Sequence, residues 1–446
     1  DCLVGSEMCI RDRTSPATED NAPRLGGGYA WFIWSLAAIS FGYAFFHRVT
    51  PSVMVSDLMT EFAIGGAMLG SLSALYFYPY VLLQVPLGAM LETFGTRRLL
   101  SAALCLAAAG SFLFGTAESL EAAYIGRILI GIGSSVGFLG SLALASTWFP
   151  AHRFAFLAGL SMFTAMASGM AAQAPLAYFI EAHGWRSSLM VLGTMGMVLA
   201  VLVFLFVRNR PPQTGQVSAG QVNDGQVKAG QEWAKLGTAL RGAFASRDVW
   251  KMAFVASTMA GPMLVIGGLW GTPYLVVAYD LPRPEAAFFM SLLLLGWAVG
   301  APFSGWMSDR IGRRKPILIA GCLLVSILLA IIFIVPGLPF WLVQIFLVLT
   351  GLSGGAMTAC FGLVRDVMPP AIAGASTGIV NSATVASGAI LQPLVGLALD
   401  LQWDGTVSDG ARQYADADYR FAFLLILATA VAGLVTAFRL RETPMS

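Results

Sequence analysis

The amino-acid sequence predicts an all-α membrane protein with twelve transmembrane helices, arranged as two repeated six-helix bundles. Of its 446 residues, 57% are hydrophobic and only 11% are charged, whereas soluble domains carry about 25% charged residues. Twelve stretches are apolar enough and long enough to cross a bilayer, which takes about 20 residues. The two halves of the chain also align with each other at an offset of about 218 residues.

The predicted spans fall into two groups of six, called span one to span twelve in chain order. The first group is Tyr29–Met54, Ala67–Met90, Leu99–Thr116, Ala123–Trp148, Ala155–Ile180 and Ser188–Val207. The second group is Met252–Ala278, Ala286–Met307, Pro316–Val335, Phe340–Val364, Gly374–Leu399 and Phe421–Phe438.

The distribution of Lys and Arg predicts how these spans are oriented. With the two chain ends on one side, that side holds 20 of the 26 basic residues and the other side only four. Lys and Arg are enriched in the cytoplasmic loops of membrane proteins. We therefore expect a multi-pass protein of a bacterial-type inner membrane with both termini in the cytoplasm.

Outside the spans, the sequence predicts two tails and a linker. The predicted organisation is a tail (1–28), a first bundle (29–207), a cytoplasmic linker (208–251), a second bundle (252–439) and a tail (440–446). About the first fifteen residues resemble translated sequencing-adapter read-through, so no functional argument rests on them. The linker carries Gly-Gln-Val repeats that cannot form a packed core. After them, Trp233–Arg247 is expected to form an amphipathic helix on the membrane surface.

Composition also narrows the classes of function. A net charge of +2 gives no general attraction for nucleic acid, so no nucleic-acid partner is expected. None of the five cysteines has the spacing of a metal site, and no metal or other cofactor is predicted. The expected partners are the lipid bilayer, a small-molecule substrate and, as one alternative, a coupling proton. We expect a monomer.

The internal repeat is most specific in the loop after span two and its copy after span eight. Two repeated bundles in one membrane protein are typical of a transporter whose binding site lies between them near the midplane. At an offset of 217, the residues Gly88, Glu92, Gly95, Arg97 and Arg98 align with Gly305, Asp309, Gly312, Arg314 and Lys315.

The loop 305–315 resembles the signature loop of the major facilitator superfamily. Its first-half copy departs from the signature, since Glu92 and Thr93 stand where Asp and Arg are usual. A pattern in span four that begins at Arg127 and continues into two glycines is similar to the second motif of that family. The resemblance covers about residues 29–441 and implies alternating-access transport of a small solute.

We expect the two loops to act as a conformational latch. A loop carboxylate can accept hydrogen bonds from a neighbouring helix N-terminus and pair with an adjacent Arg, in one conformation and not in the other. The alternative is that the basic loops only orient the chain in the membrane. The predicted latch residues are Gly88, Glu92, Gly95, Arg97, Arg127, Gly305, Asp309, Arg310, Gly312 and Arg313.

Arg48 is the leading candidate for a substrate contact, because a charge placed inside a span is costly and is usually functional. A guanidinium binds a carboxylate or a phosphate with two hydrogen bonds. The pattern Tyr43-x-x-x-His47-Arg48-x-x-x-Ser52 resembles span one of the organic-anion and organophosphate branches, which implies that Arg48 contacts an anionic substrate. The alternative is that Arg48 reaches the outer interface, since it lies about 28 Å of helix beyond Tyr29.

Two departures from those branches favour a monocarboxylate over a phosphate ester. Predicted span seven contains no basic residue, whereas the organophosphate antiporters use a second Arg there. His47 also stands where the anion–cation symporters usually carry an acidic residue.

His47 is the candidate proton carrier. None of the 24 Asp and Glu residues falls within a predicted span, while the ordinary pKa of a His is about 6.5. Proton symport through His47 is therefore one expectation, and facilitated diffusion or exchange is the alternative that the sequence leaves open.

The remaining candidates for substrate contact are polar or aromatic residues within spans. Tyr76, Tyr80 and Gln84 are four residues apart and share one face of span two. Ordinary packing and interhelical hydrogen bonding are the alternatives for every candidate. The others are Gln173, Trp270, Tyr274, Asn381 and Gln392.

The sequence thus predicts a secondary transporter that moves a small organic solute, with an anionic carboxylate favoured through Arg48. A dipeptide transporter of the same superfamily is the first alternative, because a zwitterion also needs a partner for its carboxylate. A non-transporting membrane sensor or a membrane enzyme is the alternative from another class, and no enzymatic activity is predicted.

Overall fold

The computed structural model describes residues 26–210, 237–408 and 410–442. Within these ranges, eleven helical segments are long and apolar enough to cross a membrane. They form two helical bundles, one from each half of the chain, as the sequence predicts. The Gly-Gln-Val repeats and most of both predicted tails lie outside the described residues.

The first half contributes spans one to six. A short helix, Val55–Phe62, joins spans one and two. Span five is the predicted span that is missing from the eleven, and it is divided into two helices at residues 172–173. In order, the helical segments of the six spans are Gly28–Val53, Gly66–Ala74 with Phe77–Phe94, Thr96–Gly115, Leu120–Ser134 with Gly137–Trp148, Phe154–Ala171 with Ala174–His183, and Trp185–Phe206.

The second half contributes spans seven to twelve. An antiparallel hairpin between spans eleven and twelve pairs Val407–Ser408 with Ala411–Arg412. Residues 237–245 of the predicted linker are helical. In order, the segments of the six spans are Arg247–Val265 with Ile266–Trp270 and Gly271–Tyr279, Arg283–Ile311, Lys315–Ile334, Phe340–Gly354 with Gly355–Met357 and Thr358–Val367, Pro370–Gln402, and Asp416–Phe438.

Spans two and eight end at equivalent glycines of the internal repeat. Gly95 has φ 79° and Gly312 has φ 71°, a region of backbone conformation that residues with a Cβ enter only at a cost. Each glycine therefore stops its helix and turns the chain directly into the next span. This explains two glycines of the predicted latch by backbone geometry alone.

Spans one and seven are also interrupted at equivalent positions. Span one changes to a 3₁₀ turn at Thr50–Val53, which contains Pro51, and span seven changes to a π turn at Ile266–Trp270. Proline cannot donate the helical backbone hydrogen bond, and π turns are frequently found at functional sites. The two interruptions contact each other at the centre of the molecule.

The core is organised differently at the two ends of the bundles. We call the end that holds Gly28 and Phe438 the terminal face, and the end that holds Phe62 and Asp416 the opposite face. One apolar cluster near the opposite face is continuous across both halves, whereas the cluster nearest the terminal face in each half is separate. The halves are therefore joined near the opposite face and apart near the terminal face.

Candidate functional site

A cavity of 670 Å³ lies between the two bundles and opens towards the terminal face. Both halves line it, through spans one, two, four and five on one side and spans seven, eight, ten and eleven on the other. Eight of the lining residues are aromatic, and Arg48 is the one charged residue among the described residues that line it. The cavity thus has apolar walls and a single cation.

Arg48 lies at the closed end of this cavity, one residue before the end of the first helix of span one. It is 20 residues from the start of that helix, or about 30 Å of rise. Its side chain is nearly buried at 7% exposure, and its Nε has no hydrogen-bond partner among the described atoms. No ion pair among the described residues includes Arg48. A buried charge without a counterion costs several kcal/mol.

Aromatic rings surround the guanidinium in place of carboxylates. The Arg48 Cζ lies 4.7 Å from the ring centroid of Phe45, 5.1 Å from Tyr80 and 5.6 Å from Tyr76. Phe77 lies at 5.8 Å. Each such contact stabilises the cation by about 0.5–2 kcal/mol but leaves its charge in place. The rings hold the guanidinium in position and leave it able to bind an anion.

Of the other predicted substrate contacts, Tyr80 and Asn381 line the cavity. Tyr76 lies behind Tyr80, with the two rings stacked 6.2 Å apart, and its hydroxyl donates to the carbonyl oxygen of Ala44. Gln84 is not among the described residues that line the cavity. Its side-chain Oε1 is buried and has no hydrogen-bond partner among the described atoms. The predicted face of span two therefore meets the cavity at Tyr80.

His47 faces away from the cavity, into the first bundle. It is fully buried, with its Nε2 3.3 Å from the Ser111 hydroxyl and its ring edge-on to Tyr43 at 4.6 Å. Arg48 lines the cavity and His47 does not, which fits the separation of about 100° between consecutive residues of a helix. The role of His47 as proton carrier stays a prediction.

Arg127 lies in the core of the first bundle, away from both predicted latch loops. It is 1% exposed and donates to the carbonyl oxygens of His47 at 3.0 Å and Ser73 at 3.3 Å. Its guanidinium lies 5.4 Å from the Tyr76 ring, on which Arg48 also stacks. Arg127 thus ties spans one, two and four together around Tyr76, the ring that both guanidinium groups contact.

Gln173 connects the interruptions of spans one, five and seven. Its Nε2 donates to the carbonyl oxygen of Gly267 at 2.7 Å, and its Oε1 accepts from Ser52 at 3.2 Å. Gly267 lies in the π turn of span seven, where a carbonyl is available because the helical pattern is broken. This side chain therefore bridges the two halves directly.

Gln392, the repeat equivalent of Gln173, makes the matching contact within the second half. Its Nε2 donates to the backbone carbonyl oxygen of Leu264 at 2.9 Å, and the backbone carbonyl oxygen of Gln392 accepts from the Trp270 indole at 3.0 Å. Both residues hold the π turn of span seven rather than line the cavity. Tyr274 lies beyond them and donates to the Ile332 carbonyl oxygen in an aromatic cluster.

The opposite face is closed by an arrangement that the sequence analysis did not identify. Asp400, at the end of span eleven, accepts hydrogen bonds from the backbone N–H groups of Gly66 and Ala67, both at 2.9 Å. These are the first residues of span two, so the carboxylate caps the positive end of a helix in the other half. Arg412 and Tyr414 donate to the same carboxylate at 3.1 and 2.5 Å.

Two further features belong to this closure. Burial, reinforced by the Asp400 carboxylate, raises the pKa of Tyr414, so its hydroxyl keeps the proton that it donates. Arg283 also pairs with Asp57 at 2.7 Å across the two halves. Among the described residues, the opposite face is therefore held by one ion pair and one helix cap that cross between the bundles.

The second-half latch loop makes its contacts within its own half. Arg314 pairs with Asp309 at 3.1 Å and with Asp366 at 2.7 Å, bridging the ends of spans eight and ten. Arg313 pairs with Glu442 at 3.2 Å, and Arg310 stacks over Trp306. A Cβ at Gly305 or at Gly312 would meet no atom within 4 Å.

The first-half loop is likewise engaged within its own half. The backbone N–H of Arg97 donates to the Asn209 side chain at 2.9 Å, and its Nε donates to the Phe204 carbonyl oxygen at 2.6 Å. A Cβ at Gly88 would meet no atom within 4 Å. The side chain of Glu92 lies outside the described part of the structure.

Sequence reasoning missed the aromatic walls of the cavity, although a signal was present. Phe41, Phe45 and Arg48 follow the i, i+4, i+7 spacing of a single helix face, and all three line the cavity. Asp400 had no such signal, because its partners are backbone N–H groups more than 300 residues away.

Two repeated helical bundles around a central cavity define a polytopic membrane protein built by duplication. The family model of the Major Facilitator Superfamily matches residues 36–295 and 263–446. The chain belongs to this superfamily, as the loop 305–315 indicated.

Known structures agree on the fold. A bacterial homologue of the human lysosomal transporter Spinster, in an inward-facing and unoccupied conformation, superposes with a TM-score of 0.74, with 16% identity over 92% of this chain and 97% of that one. A point mutant of the nucleoside transporter NupG superposes with a TM-score of 0.69 and 13% identity over 92% and 99% of the two chains.

Relatives whose names specify a substrate are distant in sequence. A probable sulfoacetate transporter of Cupriavidus necator is 25% identical over 63% of this chain, and the match covers 65% of its length, just under two thirds. A 4-hydroxybenzoate transporter of Pseudomonas putida is 25% identical over 83% of this chain and 82% of its own. A probable galactarate/D-glucarate transporter of Bacillus subtilis is 24% identical over 79% and 82%.

Proposed function

We propose that the protein is a secondary transporter that moves a small organic anion, a carboxylate, across the inner membrane by alternating access. The observation that carries the proposal is Arg48, a nearly buried guanidinium at the closed end of the cavity with no ion pair among the described residues. An anion bound there would offset the cost of the buried charge. The relatives whose names specify sulfoacetate, 4-hydroxybenzoate and glucarate support an anionic substrate.

In this proposal the structure is the state that opens to the cytoplasm. Among the described residues, the terminal face carries most of the Lys and Arg, and this distribution supports a cytoplasmic location for that face. The anion would enter or leave through the open terminal face, and the closure around Asp400 would block the other side. Transport then requires that closure to break while the two latch loops exchange their contacts within each half for contacts between halves.

The cavity disfavours the dipeptide alternative. A dipeptide carries an ammonium group that needs an acidic partner, and none of the described residues that line the cavity is Asp or Glu. The sensor and enzyme alternatives make no prediction of solute exchange, so a transport measurement separates them.

The test is counterflow of labelled carboxylates into proteoliposomes that contain wild type, Arg48→Ala, Arg48→Lys or, as a matched control, Arg186→Ala. Charge-assisted hydrogen bonds are worth about 1.5–3 kcal/mol, so Arg48→Ala is expected to lower anion affinity by about tenfold to 100-fold. Arg48→Lys should keep part of the binding, since it keeps the charge but loses the planar geometry. Arg186, which pairs with Glu61 on the opposite face, should be neutral.

Melting temperature in detergent decides between a binding role and a structural role. Removing an unpaired buried charge should leave stability unchanged or raise it, so Arg48→Ala should lose anion binding without losing stability. If Arg48→Ala melts several degrees lower and still exchanges anions, Arg48 is structural and the proposal fails. Absence of counterflow with every carboxylate in wild type would favour a sensor or an enzyme.

A further inference from the structure

We propose that the substrate is an aromatic monocarboxylate, whose carboxylate binds Arg48 and whose ring lies against the aromatic wall of the cavity. This rests on the proposed function, because it takes Arg48 as the anion site. It goes further, because it separates ring-bearing acids from the hydroxylated diacids and the small sulfonate named among the relatives.

The walls of the cavity are the first observation. Phenylalanine side chains from both halves form them, and Phe41 and Phe138 pack against each other at 5.0 Å. Trp297 adds an indole from span eight near the middle of its 29-residue helix. Aromatic surfaces bind an aromatic ring in edge-to-face or offset geometry and gain more than apolar area alone provides.

The polar groups of the lining are the second observation, because they are few and both of the threonine hydroxyls among them already have partners. The Thr358 hydroxyl contacts the carbonyl oxygens of Ala301 and Gly355 at 3.2 and 3.0 Å, and the Thr384 hydroxyl donates to the carbonyl oxygen of Asn381 at 2.6 Å. Besides Arg48, this leaves the phenol of Tyr80, the amide of Asn381 and the indole N–H of Trp297 to meet a solute.

This small set of polar groups disfavours polyhydroxylated diacids on physical grounds. A hydroxyl buried without a hydrogen-bond partner loses its hydration and gains nothing in return. A second carboxylate would need a second cation, and Arg48 is the one charged residue among the described residues of the lining. A ring with one carboxylate makes neither demand.

The placement of the groups gives the orientation. Arg48 lies at the closed end, and Phe45 and Phe41 follow it on the same face of span one towards the terminal face. The carboxylate would therefore lie innermost, with the ring extending along this face. Phe361 lies nearer the terminal-face end of span ten and lines the path by which the solute leaves.

The first experiment measures binding to the purified full chain in detergent by titration calorimetry with four probes. The probes are benzoate, cyclohexanecarboxylate, benzamide and tartrate. We expect benzoate to bind about threefold to tenfold more tightly than cyclohexanecarboxylate and at least tenfold more tightly than tartrate. Benzamide, which has the ring without the charge, should not bind measurably.

The outcomes distinguish this inference from the proposed function. If tartrate binds as tightly as benzoate, and Arg48→Ala abolishes both, the anion site stands and the aromatic substrate is wrong. Equal binding of cyclohexanecarboxylate and benzoate would also overturn it. If benzamide binds as well as benzoate, or if Arg48→Ala leaves benzoate binding intact, the proposed function itself fails.

A pair of variants at Trp297 tests the wall. Trp297→Phe keeps an aromatic ring and should change benzoate affinity by less than about threefold, whereas Trp297→Gln should weaken it about tenfold. Tartrate binding should not weaken in either variant. If the two variants change benzoate affinity equally, the ring of the substrate does not pack against the aromatic wall at Trp297. The wild-type panel decides the substrate class even if Trp297→Gln does not fold.

Discussion

The two ends of the bundle interface are held by different kinds of contact. At the opposite face, Asp400 of one half caps the helix that begins at Gly66 in the other, and Gln173 reaches Gly267 across the interface. At the terminal face, Arg97 and Arg314 bond within their own halves. Contacts between the two bundles hold the closed end together, whereas these residues at the open end make their contacts within their own bundle.

Because of this difference, a conformational change would break different hydrogen bonds and ion pairs at the two ends. Opening the opposite face costs the contacts of one carboxylate with a helix end, which are charge-assisted and directional. In the proposed cycle, closing the terminal face would require the two predicted latch loops to release partners in their own halves before they could meet the other half. An alternating-access cycle would balance these two sets against each other.

The largest effect is expected from Gly396→Ala, which attacks the closed end directly. A Cβ at Gly396 would overlap the carbonyl oxygen of Gly66, so the two halves could no longer approach. Overpacking of this kind costs about 1–3 kcal/mol, and counterflow should fall by about tenfold or more. Gly378→Ala in the same helix is the matched control, since its Cβ would meet no atom within 4 Å.

Counterflow by Gly396→Ala at the wild-type rate, in protein with the wild-type melting temperature, would contradict a closure that depends on contact between the two backbones.

A smaller effect is expected from Asp400→Asn. The amide keeps an oxygen for one backbone N–H but loses the charge, which is worth about 0.3–2 kcal/mol at a helix N-terminus. The open form of the opposite face should gain population severalfold to tenfold. Pulsed dipolar spectroscopy between spin labels at Met68 and Leu401, in a background without the native cysteines, should show a longer distance.

The control for this prediction is Asp404→Asn, in the loop that follows span eleven, where the side chain is exposed. It should leave the distance distribution unchanged. If Asp400→Asn also leaves it unchanged, the cap does not hold the closed end.

The smallest effects are expected from substitutions at Gln173 and Gln392, which occupy equivalent positions in the two halves. Gln173→Leu removes a hydrogen bond between halves, whereas Gln392→Leu removes one within the second half. Each loss leaves a buried carbonyl unpaired and costs about 1–3 kcal/mol. We expect Gln173→Leu to lengthen the distance between the Met68 and Leu401 labels, and Gln392→Leu to lower the melting temperature instead. The same response in both variants would refute the distinction.

Sequence reasoning predicted the fold well, and three of the predicted substrate contacts line the cavity of the structure. The apolar stretches, the internal repeat and the signature loop were sufficient for two bundles and for the superfamily, because these are periodic or local features. Arg48 was identified because a charge in an apolar segment is conspicuous. Tyr80 and Asn381 also line the cavity, whereas His47 and Tyr274 face the bundle interiors.

The direction in which each side chain points from its helix explains why some predicted residues line the cavity and others face the bundle interiors. The spacing of Tyr76, Tyr80 and Gln84 placed them on one face, but spacing does not say which face meets a cavity and which meets a neighbouring helix. Gln173 and Gln392 were correctly seen as equivalents, yet their partners are carbonyl oxygens in and beside the π turn of span seven. No pattern in the sequence marks where a π turn will form.

The sequence by itself determined the membrane class, the duplicated bundles and the presence of a cation inside span one, because composition, repeats and charge in an apolar segment are properties of the chain. The tertiary structure decided that Arg48 stands among aromatic rings without a carboxylate, and that Asp400 caps a helix that begins more than 300 residues earlier. Contacts of this kind depend on how distant helices pack against each other, which a single sequence does not record.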